Sequence, residues 1–282
     1  MDAAKKQELE RFALQIRIGA LEQFKSRGFG HVGGSLSVAD LLSVLYKTQM
    51  TIDPKDPRKP DRDKLVCSKG HAGPAIYSTL ALLGYFPYEV LKTLNQPGTT
   101  LPSHCDRNKT PGVDMTTGSL GQGTSLACGM ALGDRIKGRK NRVFLIVGDG
   151  EADEGQVWEA CMFASAKKLS NLVLLLDYNK KQLDGPVKEI LDPLDFEAKF
   201  KAFGFDTVTI DGNDAAALYD ALERTKKGGD KPFAIVLDTI KGKGVEEIEN
   251  MAANHSVTAD TQQWDVWQKG LIAKLENEEG IA

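Results

Sequence analysis

A three-layer α/β fold built on one parallel sheet is predicted by three features of the amino-acid sequence. Wholly apolar runs such as VFLIV (143–147) and LVLLL (172–176) are typical of strands that are buried on both faces. From residue 142 onward these runs alternate with amphipathic segments of helical length, which indicates parallel strands with helices on both faces. No internal repeat and no shift in composition divides the chain, so we predict one domain over residues 1–282.

The first half of the chain is predicted to be mainly helical. Leu9, Phe12, Ala13 and Ile16 recur at helical spacing. The run LVCS, which follows a loop rich in Pro, Asp and Lys, is predicted to be a short strand. The segment 96–118 is long for a loop without secondary structure, and such loops are usually functional or disordered. The predicted helices are 3–27, the stretch SVADLLSVLYKTQM with Ser35 or Ser37 as its cap, 73–84, 87–95 and 121–137.

The second half alternates strands with helices up to a C-terminal helix. The predicted strands are RVFLIVGDG, NLVLLLDYN, DTVTIDG and PFAIVLDTIKG. The predicted helices between them are EGQVWEACMFASAKKL, FEAKFKAFGF and DAAALYDALERTKK. Residues 257–279 are predicted to form a last helix, and the segment 257–282 is expected to end in a mobile acidic tail.

Composition and charge argue against several classes of protein. Of the 282 residues, 41% are hydrophobic and 27% are charged, which is enough for a buried core. A formal net charge of −3, with bases scattered among acids, argues against a nucleic-acid-binding face. Residues 1–20 carry charges throughout, unlike a signal peptide, and the longest apolar runs are too short to span a bilayer. We therefore predict no nucleic-acid partner and no membrane association.

The four cysteines indicate a reducing environment. They show no CxxC pairing and none of the spacings of a metal site, so neither disulfides nor structural zinc is expected. The cytoplasm is the predicted location.

Polar residues follow two of the predicted buried strands. GDG (148–150) ends the run VFLIV, and DYNKKQLDG (177–185) ends the run LVLLL. The carboxyl ends of parallel strands lie at one edge of a sheet, where open α/β folds bind ligands. Asp149 offers a carboxylate and Asn179 an amide oxygen, and both suit Mg²⁺ or Ca²⁺. A GDG turn alone is common; the Asn that follows the second strand is what favours a metal.

A phosphate-bearing ligand is expected beside this metal. Mg²⁺ rarely has an all-protein cage and usually shares its coordination with phosphates. The helix predicted after GDG would also present free N–H groups and its positive dipole end to an anion.

Segments spread over nearly the whole chain resemble transketolases and stand in the order in which that family carries them. The GDG motif followed by Asn179 is similar to the signature of thiamine-diphosphate enzymes. Together the segments correspond to the first half of a full-length transketolase. They are GFGHVGGSLSVADLLSVLY (28–46), SKGHAGPAIYSTLALLG (68–84), PGVDMTTGSLGQG (111–123), GDGEADEGQVWEA (148–160), DYNKKQLDG (177–185) and, as a looser match, GKGVEEIENMAANHS (242–256).

The resemblance implies a three-layer thiamine-diphosphate-binding fold with a divalent metal, Mg²⁺ or Ca²⁺. By this resemblance the side chains of Asp149 and Asn179 and the backbone carbonyl of Lys181 are the metal ligands. Gly148 and Gly150 belong to the same cofactor-binding motif.

The resemblance also assigns residues to the rest of the cofactor. His71 and His255 would contact the diphosphate through imidazole N–H donors. The backbone of Gly118 would lie at the aminopyrimidine, Leu120 beside the thiazolium, and Leu183 against the same ring system. TGSLGQG is not a dinucleotide-binding fingerprint, because it follows an irregular loop rather than a strand.

All four histidines of the chain match positions of transketolase active-site histidines. His31 and His104 would line the substrate channel, and His31 and His255 would exchange protons with the acceptor aldehyde, since imidazole titrates near neutrality. Glu154, and less strongly Glu159, would belong to a proton-linked network that crosses a subunit interface. His31, His104, His255 and Glu154 are therefore the predicted catalytic residues.

The resemblance implies a transketolase subunit that works only with a second chain. The family's second domain carries the glutamate that contacts the pyrimidine ring and the groups that bind the sugar phosphate. No segment after residue 256 resembles that domain. A second subunit with the pyrimidine-binding and C-terminal domains is therefore expected, in an α2β2 heterotetramer acting on sugar phosphates.

Three alternatives remain open from the sequence. An α-keto acid dehydrogenase α chain also carries GDG and a later Asn, but would not combine GFGH, SKGHA and TTGSLGQG. A non-catalytic interaction protein would be favoured by loss of a metal ligand or histidine, and none is lost. A transketolase for a branched or sulfonated sugar remains open, because Ser119, Asn254 and Ser256 depart from common family residues.

Overall fold

The centre of the molecule is a five-stranded parallel sheet. A computed structural model describes residues 1–279 and confirms the predicted α/β class. The strand order is β2-β3-β4-β6-β5, and every neighbouring pair is parallel. The strands of this sheet are β2 (Lys64–Cys67), β3 (Val143–Gly148), β4 (Leu172–Tyr178), β5 (Asp206–Asp211) and β6 (Phe233–Asp238).

Alternating side chains of the sheet enter two separate cores. Successive residues of a strand point to opposite faces. Phe144 and Ile146 of β3 therefore join one core, whereas Leu145 and Val147 join the other. The same alternation along β2, β4 and β6 produces the predicted layer of helices on each face.

The helices divide between the two faces of the sheet. The first core is covered by α1 (Ala3–Arg27), α3 (Ala39–Val44), α4 (Gly73–Leu82), α9 (Ala215–Arg224) and α11 (Thr261–Glu279), with α2 (Val32–Leu36) and α10 (Glu246–Asn250) beside them. The second core is covered by α5 (Gln122–Ile136), α6 (Gly155–Ala166) and α8 (Phe196–Ala202). A short helix, α7 (Val187–Ile190), follows the loop after β4. No helix within residues 1–279 is long and apolar enough to cross a membrane.

The region 28–50 differs from the glycine-rich turn and single helix over 37–50 that were expected there. Helix α2 already begins at Val32, and α3 ends in a π-turn over Leu45–Gln49 that is closed by a bond from the Met50 N–H to the Leu45 carbonyl. The predicted helix 87–95 is a 3₁₀ helix over Tyr88–Thr93.

Two short strands near the site were not predicted. β1 (Phe29–Gly30) pairs antiparallel with β7 (Val257–Thr258), which lies far away in sequence. A two-residue strand has no periodicity of its own, so only the tertiary contact reveals it. The last predicted helix therefore begins at Thr261 rather than 257, and the end of the predicted acidic tail, 280–282, lies outside the described residues.

Candidate active site

The carboxyl ends of β3 and β4 bring the two predicted metal-binding motifs together. Gly148 pairs in register with Asp177, and the Asp149 N–H donates to the Asp177 carbonyl at 3.2 Å. The two loops then pack so closely that a Cβ on Gly150 would lie 2.7 Å from the Cβ of Gln182. A glycine is needed at position 150 for this approach.

Asp149 is a buried carboxylate without a cationic partner. Its side chain is 3% exposed and accepts N–H bonds from Gly150 at 2.8 Å and Lys180 at 2.7 Å. Within residues 1–279 no Lys or Arg forms an ion pair with it. Burial, and then the charge of Asp177, raise the pKa of the Asp149 carboxyl. A divalent cation would relieve this destabilised negative charge, so the residue fits its predicted role as a metal ligand.

The other two predicted ligands, Asn179 and Lys181, both lie on the loop after β4. The Asn179 amide nitrogen donates to Asp177 at 2.8 Å, and its oxygen accepts the Lys181 N–H at 3.2 Å and keeps a second lone pair for a metal. The Lys181 carbonyl accepts a bond of 2.6 Å from the Lys241 ammonium and keeps a second lone pair for a metal. The described residues therefore offer three hard oxygen donors at the two adjacent loops that follow β3 and β4.

A buried ion pair lies directly beneath this loop. Asp177 is fully buried and accepts hydrogen bonds from Lys69, Ser37, Thr239 and Asn179. Burial alone would raise the pKa of Asp177, but the charge of Lys69 and these donors outweigh it and hold the pKa below its usual range. The Ser37 side chain thus belongs to this cluster and does not cap the N-terminus of a helix.

Asp177→Asn is expected to lower the free energy of unfolding by about 3–5 kcal/mol, because it leaves the buried Lys69 charge unpaired. The folded pKa of Asp177 is below its unfolded value. Its stabilisation is therefore present at neutral pH and lost as the pH falls through the folded pKa. Urea denaturation at pH 7 and in acid measures both effects, and the difference from wild type should shrink in acid.

Asp230→Asn is the matched control, because it breaks only the exposed pair with Lys168 and should leave the free energy of unfolding nearly unchanged. Equal losses for the two variants would contradict the proposed role of Asp177.

The four histidines come together above the sheet. The rings of His31 and His71 have centroids 4.2 Å apart, and His104 lies 4.9 Å from His71. His255 lies 4.8 Å from His71 and 5.5 Å from His31. All four are partly buried. The predicted convergence of the histidines on one site is therefore what the structure contains.

Hydrogen bonds to backbone carbonyls hold the segments of three of these histidines in place. The Ser35 hydroxyl donates to the carbonyls of both His31 and His71, at 2.9 and 3.2 Å. The Asn254 carbonyl, next to His255, accepts the Gly33 N–H at 3.0 Å. The β1–β7 pair further ties the segment of His255 to that of His31. The Ser35 side chain, like that of Ser37, supports the site and does not cap the N-terminus of a helix.

The imidazoles are neutral at physiological pH. Burial and the neighbouring histidines lower the pKa of His71 to about 3, and burial and the Lys241 charge lower that of His255 to about 4. Burial also lowers the pKa of His31 and of His104. The His104 Nε2 is buried and has no hydrogen-bond partner among the described residues. That unpaired atom indicates a ligand contact.

A cavity of about 130 Å³ lies between the loops after β3 and β4 and the side chains of His71 and His255. Its lining includes eight of the ten predicted cofactor-binding residues, namely His71, Leu120, Gly148, Asp149, Gly150, Asn179, Leu183 and His255. Leu183 is 64% exposed at its mouth. The other two predicted residues, Gly118 and Glu154, do not line it.

Gly118 and Glu154 occupy different surroundings. A Cβ on Gly118 would lie 3.1 Å from the His104 ring, so its backbone borders the histidine cluster. Glu154 is exposed at the start of α6, as is Glu159 further along the helix. Neither glutamate makes a side-chain hydrogen bond within the described part of the chain. The structure therefore leaves Glu154 on the surface rather than in the cavity.

A larger groove, of about 730 Å³, runs between the loops 56–64 and 107–115 over the end of α5. It shares no residue with the 130 Å³ cavity. The smaller cavity contains the convergent polar groups that a functional site requires, so chemistry rather than size selects it.

Comparisons with known proteins agree with the cofactor-binding site that this geometry indicates. The family model for the thiamine-diphosphate-binding domain of transketolase matches residues 9–270. The chain belongs to the transketolase family. This confirms the predicted family and sets aside the α-keto acid dehydrogenase alternative.

Two relatives that match along most of their own length are named as transketolase subunits. The chain is 50% identical to the 6-deoxy-6-sulfo-D-fructose transketolase subunit of Clostridium sp. (strain MSTE9), over 96% of this chain and 97% of that protein. It is 40% identical to an apulose-4-phosphate transketolase subunit of Actinobacillus succinogenes, over 88% and 90%. These matches confirm the prediction of an N-terminal transketolase subunit.

A solved transketolase has the same fold over half of its length. The crystal structure of transketolase from Campylobacter jejuni superposes with a TM-score of 0.84 at 29% identity. The match covers 99% of this chain but only 49% of that one. The chain thus spans about half of this single-chain transketolase.

Four charged residues of this transketolase-family site were not singled out in the sequence. Lys69 and Lys241 line the cavity, Asp177 anchors Lys69, and Glu151 accepts N–H bonds from Gly148 and Gly121. Lys69 follows β2 and Lys241 follows β6, so their position after buried strands was an available signal. Asp177 stands alone in an apolar run, which also indicates a buried partner.

A 3₁₀ turn over Glu151–Asp153 separates GDG from the helix predicted after it. That helix, α6, begins at Gly155, one residue after the predicted start at Glu154. The Glu151 carboxylate accepts the Gly148 N–H at 3.0 Å, and burial raises the pKa of Glu151. Anion binding at the start of α6 stays a prediction.

Proposed function

We propose that this chain is the diphosphate- and metal-binding subunit of a two-chain transketolase. Together with a second subunit it would transfer a two-carbon ketol unit from a ketose, or ketose phosphate, to an aldose acceptor. The observation that carries this proposal is the convergence of Asp149, Asn179, His71 and His255 at one cavity beyond the sheet's carboxyl edge. The other two histidines, His31 and His104, lie against His71.

The metal would be held by the Asp149 carboxylate, the Asn179 amide oxygen and the Lys181 carbonyl. All three are hard oxygen donors, which suit Mg²⁺ or Ca²⁺, and phosphate oxygens would complete the coordination. The buried Asp149 carboxylate, which forms no ion pair with a described Lys or Arg, supports this assignment. Thiamine diphosphate, when bound, would supply the nucleophilic carbon and the electron sink that allow a ketose carbon–carbon bond to break.

The remaining walls of the cavity suit the parts of this cofactor. His71 and His255 would donate N–H bonds to the diphosphate, close to Gly148 and Gly150. Leu120 would cover the thiazolium from one side, and the exposed Leu183 would pack on the same ring system. The backbone of Gly118 would border the pyrimidine.

His31, His104 and His255 would act on the sugar. A neutral imidazole both donates and accepts hydrogen bonds, which suits a sugar hydroxyl and an aldehyde oxygen in turn. Their lowered pKa values keep them neutral at physiological pH. The unpaired Nε2 of His104 is the atom most in need of a partner.

His104→Ala in the two-chain complex is expected to raise the donor Michaelis constant about 3- to 10-fold, the effect of losing a hydrogen bond of about 1 kcal/mol. Cofactor affinity should barely change. His71→Ala should do the reverse, because its imidazole faces the diphosphate region. Steady-state kinetics with cofactor titration separates the two, and the same defect in both variants would show that the division of roles is wrong.

The second subunit would cover the open side of this site. Leu126 on α5 and Met162 and Phe163 on α6 are exposed apolar residues, beside Glu154 and Glu159 at the surface of α6. Large apolar side chains grouped on neighbouring helices are typical of an interaction surface. An α2β2 heterotetramer with Glu154 in a proton-linked network at the interface is the assembly proposed. Buried free thiols at all four cysteines are consistent with a cytoplasmic location.

The sugar substrate of this subunit would be a sulfonated ketose. The identity of 50% to a 6-deoxy-6-sulfo-D-fructose transketolase subunit favours it over the more distant apulose-4-phosphate relatives. An ordinary pentose-phosphate donor is the competing substrate.

The complex co-expressed with its second subunit should be assayed with sulfonated and phosphorylated ketoses, and the shortened aldose measured. A higher kcat/KM for the sulfonated donor is expected. Preference for a phosphorylated donor would overturn only the sugar assignment, whereas no aldose from any ketose would overturn the transketolase proposal.

A further inference from the structure

We propose that His31, His71 and His255 form a second metal site, which binds a transition-metal ion such as Zn²⁺ or Co²⁺ when the cofactor is absent. We further propose that this ion blocks cofactor loading. The metal site stands on the geometry of the three histidines alone. Its effect on loading rests on the proposed function, because it requires the diphosphate to use the same imidazoles.

The geometry of these three side chains, the histidine trio, is close to that of a metal site. One ring nitrogen from each histidine lies within 4.8 Å of the other two. Tetrahedral zinc with bonds of about 2.0–2.1 Å holds its nitrogens about 3.4 Å apart. The rings are only partly buried, so they can close that difference by small side-chain rotations. His104 lies outside the trio.

The donor chemistry separates this site from the one at Asp149. Neutral imidazoles suit Zn²⁺, Co²⁺ and Cu²⁺, whereas carboxylate, amide and carbonyl oxygens suit Mg²⁺ and Ca²⁺. All three imidazoles of the trio have lowered pKa values and need no deprotonation before they bind a metal. Three protein ligands leave a fourth position for water or an anion. The two sites should therefore select different metals.

The backbone already fixes the relative positions of the trio. The Ser35 hydroxyl joins the carbonyls of His31 and His71, and the Gly33–Asn254 bond places the segment that carries His255. Ligands held by such supporting bonds lose little conformational freedom when a metal binds. The backbone of the trio is consequently pre-organised without an ion, and only the rings need to rotate.

Two lysines oppose a cation at the trio. Lys69 is paired with the Asp177 carboxylate, so its charge is largely compensated. Lys241 has no carboxylate partner in the described range, and its ammonium lies 3.3 Å from the His255 Nδ1. It is therefore the main repulsive group for a bound metal, and removing its charge should tighten metal binding.

Titration of Co²⁺ into the purified, cofactor-free chain tests the site directly through the visible absorption of the cobalt ion. We expect one Co²⁺ per chain. His71→Ala and His255→Ala should each weaken binding at least about tenfold, because each removes a ligand. His104→Ala, outside the trio, should bind as wild type. Lys241→Met should bind at least about threefold more tightly.

Asp149→Ala provides the control that separates the two metal sites. It should retain Co²⁺ affinity, because the trio does not include it. Loss of Co²⁺ binding in Asp149→Ala, or unchanged binding in both histidine variants, would overturn the second site.

Cofactor loading is tested in the complex with the second subunit. Bound Co²⁺ should raise the apparent dissociation constant of thiamine diphosphate in proportion to its concentration, and excess cofactor with Mg²⁺ should displace it. Cofactor binding that is indifferent to bound Co²⁺ would overturn the blocking effect. A complex that binds no cofactor even without Co²⁺ would instead identify a failure of the proposed function.

Discussion

Purified alone, this chain is expected to show no ketol transfer, and mixing it with its second subunit should create the activity. The chain would supply the proposed oxygen ligands at Asp149, Asn179 and Lys181 and the four histidines. These groups form only one wall of the proposed cofactor cleft. Leu183 at the cavity mouth is 64% exposed, as expected for an apolar side chain that a second subunit would cover.

The expected change is from no turnover to full turnover, because the missing wall carries chemistry as well as shape. The group that would activate the pyrimidine of the cofactor is expected on the second subunit. Water also reaches the cleft and weakens every electrostatic interaction in it. The isolated chain should remain folded, since both of its cores are complete.

Activity measured for each chain alone and for the mixture gives the result, with sedimentation to follow assembly. A variant that places a charge on the exposed apolar surface, Met162→Asp, should prevent assembly and activity together. The exposed Val266→Asp is the matched control, because α11 covers the first core, on the opposite face of the sheet from α5 and α6. Robust turnover by this chain alone would contradict the two-chain account.

The sheet and its helices could be predicted because their signals are local. The strands VFLIV and LVLLL are apolar throughout, and the structure buries both of their faces. The helix predicted at 121–137 and that found at Gln122–Ile136 differ by a single residue at each end. Such elements follow from the order of residues alone.

The segments around the histidines could not be predicted in detail, because their structure depends on distant contacts. β1 and β7 exist only as a pair between residues far apart in sequence. The 28–50 region was expected to hold one helix after a glycine-rich turn. Instead Ser35 and Ser37 donate to the histidine backbone and to Asp177, and the helix is divided.

The site itself was predicted mainly from motifs that stand in the order of a known family. Physical reasoning alone reached Asp149 and Asn179, because both follow buried strands. It missed Lys69 and Lys241, which follow β2 and β6 in the same way. Their roles depend on which acids and carbonyls they meet, and that information exists only in the folded chain.

Asp149→Ala is expected to lower the affinity of the two-chain complex for thiamine diphosphate at least tenfold, about 1.4 kcal/mol or more. The substitution removes the charged ligand of a metal that would bridge protein and diphosphate. The fold should persist, because Asp149 has no ion-pair partner among the described residues and its two hydrogen bonds lie at the strand-end loops, outside both cores. Asp184→Ala, an exposed carboxylate on the loop after β4, should leave the affinity unchanged.

Calorimetric titration of thiamine diphosphate in the presence of Mg²⁺ tests the central claim most directly. The wild-type complex and Asp184→Ala should bind equally, and both should lose affinity when the metal is chelated. Asp149→Ala should bind at least about tenfold more weakly and lose most of its response to Mg²⁺. Unchanged affinity in Asp149→Ala, with the same dependence on Mg²⁺ as wild type, would contradict the placement of the metal and diphosphate on this chain.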